Sequence, residues 1–356
     1  MPEPFLGAAP LSAATLPVWA GPAERLRFLL GYAVLAPSRH NVQPWIFEIE
    51  GEEARLYADF RRVLHVSDPR DRELVIACGA AVFNLRVAAA HFGYATSTEI
   101  LAAGRRDGLL ARLRLEERRT PTAEEEMLFG AIPRRRTNRL PLDSRELARG
   151  LVADLAREAG VAGAALRPVE EKERRAVAEL VAEGDRLQWA DSRFRSEVAA
   201  WSRSNVSHRP DGVPGFAHGM GNAASVVQPL LVRIADAGPA EAERDRRRAM
   251  VTRALLVLCT HGDEPRDWLA AGEALQRVLL RATASDLYAS YFSSPLEVPG
   301  LRRELRLALG ETGCPQVMFR LGYGLEVRPM PRRPVSDVLR SVAERAAEPA
   351  PLAVRQ

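Results

Sequence analysis

Apolar and polar positions along this chain follow two periods in turn. Residues 23–36 carry apolar side chains at helical spacing and stop before Pro37, which predicts a helix ending there. Trp45-Ile-Phe-Glu-Ile-Glu50 alternates at a period of two, and Gly51-Glu52 turns it back into a second strand over 54–59. The longest apolar pattern covers 72–92. There Leu74, Cys78, Ala81, Leu85 and Ala89 recur every three or four positions, with Gly93 placed for a C-terminal cap. Strands are expected near 96–101 and 109–115, and Thr122-x-x-Glu125 is a capping box for a helix reaching Ala131.

The second half repeats this grammar. A helix is expected from Asp143 to Ala159, a strand over 164–169 and a charged helix over 170–190. Residues 192–224, with Pro210, Pro214 and four glycines, read as a long loop whose Phe194, Trp201, Phe216 and Met220 are too apolar for a solvated linker. A strand over 254–259, a helix over 265–285, a turn at 295–300, a helix over 301–309 and a strand over 315–322 follow. A polar helix begins after Pro334 and decays into the tail, 341–356. A shift of 193 residues lays the long apolar helix of one half on that of the other and matches Ala77 with Ala270, Gly79 with Gly272, Ala81 with Ala274 and Ala89 with Ala282. Four identities between alanine-rich helices are also what composition alone can produce.

Composition narrows the classes. A chain of 356 residues suits two domains, or one domain built from two copies of a unit, and 47% hydrophobic with 27% charged residues excludes wholesale disorder. The net charge of +4 is too small for a dedicated nucleic-acid binder of this size. Lys172 is the only lysine, so arginine carries nearly all the positive charge and a single arginine says little. No basic leader precedes an apolar core at the N-terminus, and no apolar run is expected to match the ~20 residues of a membrane span, so a soluble cytoplasmic protein is expected. Cys78, Cys259 and Cys314 are scattered and form neither a disulfide framework nor a zinc spacing. There is no His-Glu-x-x-His, Walker A loop or Gly-x-Ser-x-Gly elbow, and Gly322-Tyr323-Gly324 lacks the third glycine of a dinucleotide fingerprint. His208 and His218 have no carboxylate or cysteine to complete a metal site, and no metal is expected.

The most informative string is Pro37-Ser38-Arg39-His40-Asn41-Val42-Gln43-Pro44-Trp45, a helix end opening into a polar loop and then a strand. Ser38, Asn41 and Gln43 offer hydroxyl and amide groups suited to a planar heterocycle; a plain capping loop with an anchoring Trp45 uses the same residues. A second string, Arg135-Arg136-Thr137-Asn138-Arg139, offers guanidinium groups suited to phosphate, or simply a solvated or RNA-contacting face.

Taken together these strings resemble the nitroreductase superfamily. Pro-Ser-x-x-Asn-x-Gln-Pro-Trp is similar to its flavin loop, and Arg135-x-Thr137-x-Arg139 to its Arg-x-Ser-x-Arg phosphate motif, with Thr137 in place of serine. Pro295-Leu296-Glu297-Val298 resembles the segment whose backbone amide approaches the flavin N5 edge, with Val298 where a glycine is usual. Arg332, after Gly322-Tyr323-Gly324, matches the second phosphate cation. The double length and the Cys78-Gly-Ala-Ala81 helix look like the Acg-type branch. The resemblance implies an α+β fold. Two related halves, 22–132 with the flavin-ring loop and 133–340 with the phosphate motif and a lid at 192–224, would be fused into an intramolecular pseudo-dimer.

It implies one FMN, because each half supplies the part that the other lacks. Pro37, Ser38, Arg39, Asn41 and Gln43 would meet the ring and ribityl chain. Arg135, Thr137, Arg139 and Arg332 would clamp the phosphate, and Leu296, Glu297 and Val298 would approach N5. No side-chain acid or base is required, and Glu297 would act through its backbone. Two activities stay open: an NAD(P)H-dependent oxidoreductase of small electron acceptors, or a lid-closed flavin-holding protein tied to stress or dormancy with little turnover. The chain would be a monomeric pseudo-dimer or a homodimer, with no nucleic-acid or membrane partner.

Overall fold

Two four-stranded sheets with the same internal order frame the molecule, which we describe from a computed structural model over residues 21–102, 108–311 and 313–341. Residues 1–20 and the tail from 342 onward, both read above from sequence, lie outside the described residues. The first half runs α1 (Pro22–Ala33), β1 (Trp45–Glu50), β2 (Glu53–Ala58), α2 (Arg72–His91), β3 (Tyr94–Ile100), β4 (Leu109–Arg118) and α3 (Ala123–Ala131). The second begins α4 (Leu151–Val161), β5 (Ala165–Pro168), α5 (Glu171–Ala190), α6 (Ser192–Trp201), β6 (Ser202–Arg203), β7 (Val213–Pro214), α7 (Asn222–Ile234) and α8 (Gly238–Val251). It continues β8 (Ala254–Thr260), α9 (Pro265–Ala284), β9 (Tyr288–Tyr291), α10 (Ser294–Glu297), α11 (Pro299–Ala308), β10 (Cys314–Gly322) and α12 (Val335–Val338).

The strand orders are β1-β2-β4-β3 and β5-β8-β10-β9, antiparallel throughout. With the minor β6–β7 pair set aside, each reads first, second, fourth, third, and the long helix follows the second strand in both. The repeat is therefore structural, and the chain is an α+β pseudo-dimer of two matched halves.

The repeated helices α2 and α9 pack on each other at the centre. A Cβ built on Gly79 would strike the Leu269 carbonyl, and one built on Gly272 would strike the Ile76 carbonyl. The two glycines stand 193 residues apart, as do Ile76 and Leu269, the offset found by sliding the sequence on itself, so the glycines mark the crossing where backbone meets backbone. One core crosses the junction, with Leu30, Trp45 and Leu85 from the first half against Leu256, Leu279 and Phe319 from the second. The chain's end returns to the first sheet, where Leu339 bridges Phe47 and the Arg340 amide donates to the Phe47 carbonyl (2.8 Å).

Four expectations need correction. The helix expected from Asp143 starts only at Leu151, after Gly150 at φ +82°. Asp143 is already engaged, its amide donating to the Tyr323 carbonyl (2.8 Å) and its carboxylate accepting from the Arg145 amide. Residues 192–224 are no loop throughout, because α6 and the start of α7 lie inside them, and α8 follows. The turn at 295–300 is helical on both sides of Val298. Finally, α2 is long and apolar enough to span a membrane by length and composition, contrary to expectation. It is apolar all round because it is buried in the core, with α9 packed on it.

Candidate functional site: a cationic cavity between the halves

A cavity of about 1020 Å³ lies between the halves, walled by the loop after α1, the segment before α4, β9, and the insertion α5–α8. The loop after α1 is unusual backbone. His40, Asn41 and Gln43 hold φ of 46°, 57° and 52°, left-handed values that non-glycine residues adopt only where surroundings compel them. The compulsion is visible in the bonds. Ser38 Oγ accepts from the Gln43 amide (2.9 Å), closing the loop on itself. Asn41 Nδ2 donates to the carbonyls of Gly212 (3.1 Å) and Pro331 (3.0 Å), and its Oδ1 accepts from Arg332 (2.5 Å). Gln43 Nε2 donates to the Pro210 carbonyl (2.7 Å), and its Oε1 accepts from the Arg333 amide (2.8 Å). These two amides tie the first-half loop to the second-half insertion and to the chain's end.

Pro37, Ser38, Arg39 and Asn41 line the cavity, as do Arg135, Thr137, Arg139 and Arg332. Gln43 does not; it is wholly buried behind the loop with its amide engaged, which corrects its expected place against a ligand. Leu296, Glu297 and Val298 also sit outside the lining, while Ser293 and Ser294 face inward. The amides of 296–298 bond back to Ser293 and Ser294 within the helical turn. Nor is the Glu297 carboxylate idle: it pairs with Arg39 (2.8 Å) and accepts from Gln188 Nε2 (2.6 Å). Burial pushes this carboxyl up, with Arg39 opposing.

The second-half arginines are held in a different state. Thr137 bridges Ala289 of β9, so the motif lies along the edge of the second sheet. The next turn, Leu142, packs on Gly322 and Gly324, where a Cβ would crowd it. Arg135 and Arg332 are buried, and among the described residues neither they nor Arg136 or Arg139 has a carboxylate at ion-pair distance. Nε of Arg135, Nε of Arg332 and Nη1 of Arg139 are buried without any hydrogen-bond partner. Burial presses Arg332 down to about 9, with Arg135 and Arg136 adding repulsion, and presses Arg135 and Arg139 to about 10. All stay cationic at neutral pH. Buried like charges held together with donors unspent form a cradle for an anion. The Tyr291 phenol is buried beside Arg135 and Arg139.

Sequence reasoning takes His40 as a lining residue without a catalytic role, and it misses two lining groups, Arg136 and Asp185. His40 sits within the loop motif, and burial together with Arg39 holds it neutral. Arg136 lies in the basic string but had no role assigned. Asp185 on α5 is buried with Oδ2 unpartnered; burial reinforced by Asp245 pushes it up to about 7. Only the helical phase of α5 marked it, and that says which face is inward, not what is there. Among the described residues no three His, Cys, Asp or Glu side chains cluster as for a metal.

Comparison with known proteins adds identity. No protein-family model matches the chain. Among solved structures, the FMN-dependent nitroreductase NfnB from Mycobacterium smegmatis in complex with NADPH is similar at TM-score 0.38 and 16% identity, covering 60% of this chain and 97% of that one. The protein named "Putative NAD(P)H nitroreductase acg" of Mycobacterium tuberculosis (strain H37Rv) is 29% identical over 324 residues, 86% of this chain and 92% of that protein. "Putative NAD(P)H nitroreductase Rv3131" of the same strain is 31% identical over 323 residues, 89% of this chain and 91% of that protein. With that identity running through both halves and nearly the full length of each partner, this chain belongs to the nitroreductase family.

Proposed function

We propose that the chain binds one FMN in the cavity between its halves and uses NAD(P)H to reduce small electron acceptors. The observation that carries this reading is the trio Arg135, Arg139 and Arg332, each with one buried nitrogen that has no hydrogen-bond partner and, among the described residues, no carboxylate at ion-pair distance. A phosphate dianion would take up these donors, and bidentate contact suits arginine. FMN, when bound, supplies two-electron redox chemistry through its ring. The chain's own residues place and shield it. The Arg135-x-Thr137-x-Arg139 segment and Arg332 would hold the phosphate end, and Pro37, Ser38, Arg39 and Asn41 would border the ring. Asn41 does so mainly by fixing the loop, since its amide is bonded to Gly212, Pro331 and Arg332. The halves divide at 132/133 on this reading, each supplying what the other lacks, and 192–224 forms the lower part of a cover over the ring.

The test is direct. The purified protein is expected to be yellow, with flavin quantitation near one per chain and bleaching by NADPH or NADH under anaerobic conditions. No flavin, or two per chain, would overturn the assignment.

A second reading, a flavin-holding protein with little turnover, draws support from the clasp between the loop and residues 210–212. Besides Asn41 and Gln43, Arg62 pairs with Asp211 there (3.1 Å). Bound flavin that resists NAD(P)H would select this reading. The half-exposed cavity residues Val227 and Leu231 favour the first, because a path to solvent stays open beside them.

A further inference from the structure

Two parts of the cavity lining are charged in opposite senses. The cradle holds guanidiniums without carboxylates, and the cover holds one carboxylate without a cation. Among the described residues four carboxylates line the cavity: Glu73, Asp185, Glu241 and Asp245. Three are matched, Glu73 with Arg72 (3.1 Å), Glu241 with Arg244, and Asp245 with Arg248 (2.9 Å). Asp185 has no described cation at ion-pair distance, and its Oδ2 has no hydrogen-bond partner, although the residue is only 9% exposed. The groups that face it do not supply a partner. On α5 itself, Gln188 engages its amide with Glu297 (2.6 Å). From α8 come Asp245, a like charge, and Arg244, which is already engaged with Glu241 and Asp245. From α10 comes the Ser294 hydroxyl, bonded to the Val181 carbonyl (3.2 Å). From the loop after α1 comes Arg39, held between Glu297 (2.8 Å) and Glu73 (3.9 Å). A buried carboxylate left in this way is costly until something compensates it.

The neighbouring lining narrows what that something is. Trp189 lies four residues on, along the same face of α5, and Phe194 of α6 meets its ring edge-on (5.8 Å, 79°). Both line the cavity. Gln228 of α7 brings a second free acceptor to the lining, its Oε1 buried without a partner. Free acceptors beside aromatic rings, whose faces are negative, suit a cation. A neutral donor would complete the hydrogen bond and leave the charge unmatched, and an anion would add its repulsion to that of Asp245. We propose that this part of the cover is a subsite for an organic cation: a protonated amine on a flat apolar body, the ammonium on Asp185 and the body against Trp189 and Phe194. The subsite stands on residues other than Arg135, Arg139 and Arg332, which carry the FMN reading, and goes beyond that reading by naming a second ligand of the cavity. The proton balance is simple. The ammonium keeps its three hydrogens, and any proton held by Asp185 passes to solvent as the pair forms.

The experiment is a calorimetric titration of the protein as purified with two probes of one shape, benzylamine, protonated at neutral pH, and benzyl alcohol. Benzylamine is expected to bind about 10- to 100-fold more tightly, as a charge-assisted contact in a buried site does. In Asp185→Asn, which keeps the shape and removes the charge, the two affinities are expected to agree within about threefold. Titration at about pH 7 in buffers of different ionisation enthalpy is expected to show up to about half a proton released per benzylamine in the parent protein and none in the variant, because the free carboxyl titrates at about 7. Trp189→Leu supplies an arm that leaves the acid in place: both probes are expected to weaken about 3- to 10-fold with their ratio unchanged. Equal affinities in the parent protein overturn the proposal, as do a preference that survives Asp185→Asn, an unchanged affinity in Trp189→Leu, and a failure of both probes to bind. Flavin content and thermal melting of the same samples keep these outcomes apart from a misfolded variant. A parent protein without flavin overturns the FMN reading instead, and the ratio of the two probes still decides the subsite.

Discussion

The two halves share a strand order but part company between their first helix and first strand. In the first half residues 34–44 separate α1 from β1, and in the second residues 162–164 separate α4 from β5. The long connection holds three left-handed non-glycine residues and the Asn41 and Gln43 bonds; the short one turns on Gly163 at φ +79°. A second asymmetry runs the other way. Gly51 and Glu52 suffice between β1 and β2, whereas β5 and β8 are parted by α5–α8, which cover the cavity. The frame thus occurs twice, with one elaborated loop in the first half and one elaborated cover in the second, and the cavity lies where they meet.

The largest expected effect tests what the halves still share. Gly272→Val should cost about 3 kcal/mol or more, since the added carbons meet the Ile76 backbone, which cannot swing away as a side chain can. Gly79→Val should match it, because the crossing is nearly symmetric. Urea unfolding checks both, and a change under about 1 kcal/mol would mean that the crossing does not lock the halves.

Cofactor affinity probes the half that carries the cations. Arg332→Ala or Arg135→Ala is expected to weaken FMN binding about 10- to 100-fold, the loss of one charge-assisted bond. Arg253→Ala, whose exposed side chain reaches the Ser144 carbonyl and lies outside the cavity lining, should stay within about twofold. Equal losses in a fluorescence titration would dissolve the distinction between cradle and surface.

The unequal connections can be compared directly. Asn41→Ala strands two buried carbonyls and frees Arg332, at a cost of about 2 kcal/mol, while Gly163→Ala should cost about 1 kcal/mol for its positive φ alone. Thermal unfolding that ranks them in reverse would deny the loop its role as a clasp.

The last test is a pH dependence carried by α5 of the cover. The Asp185 carboxyl is raised in the folded state from 3.8 to about 7, so its contribution is full below pH 3.8 and fades as pH rises toward 7. Asp185→Asn should remove that slope, at most about 1.4 kcal/mol per pH unit, and gain on the parent protein between pH 4 and 7. Parallel stability curves for the two proteins would show that Asp185 ionises freely.

Much of the frame was legible because it is written at short range. The alternation of Trp45–Glu50, the Thr122–Glu125 box and the apolar period of 72–91 depend on neighbours a few residues apart, and each element appears where the pattern put it. Gly79 and Gly272 fell in register when one helix was slid on the other, a match that composition alone could produce, and only the packed helices show why neither can carry a side chain. The motif strings likewise singled out residues from both halves that meet in one cavity. What sequence could not decide was which way those residues spend their bonds. Gln43 turns away and Asn41 holds the loop, because their partners lie on residues 210–212 and 331–333 and become neighbours only after folding. Glu297 is paired with Arg39, while among the described residues Arg135 and Arg332 have no carboxylate partner, and an ion pair is a matter of distance across elements that no spacing along the chain encodes. Asp185 follows the same rule: the helical phase of α5 turns it inward, and tertiary packing alone decides that no cation among the described residues meets it there.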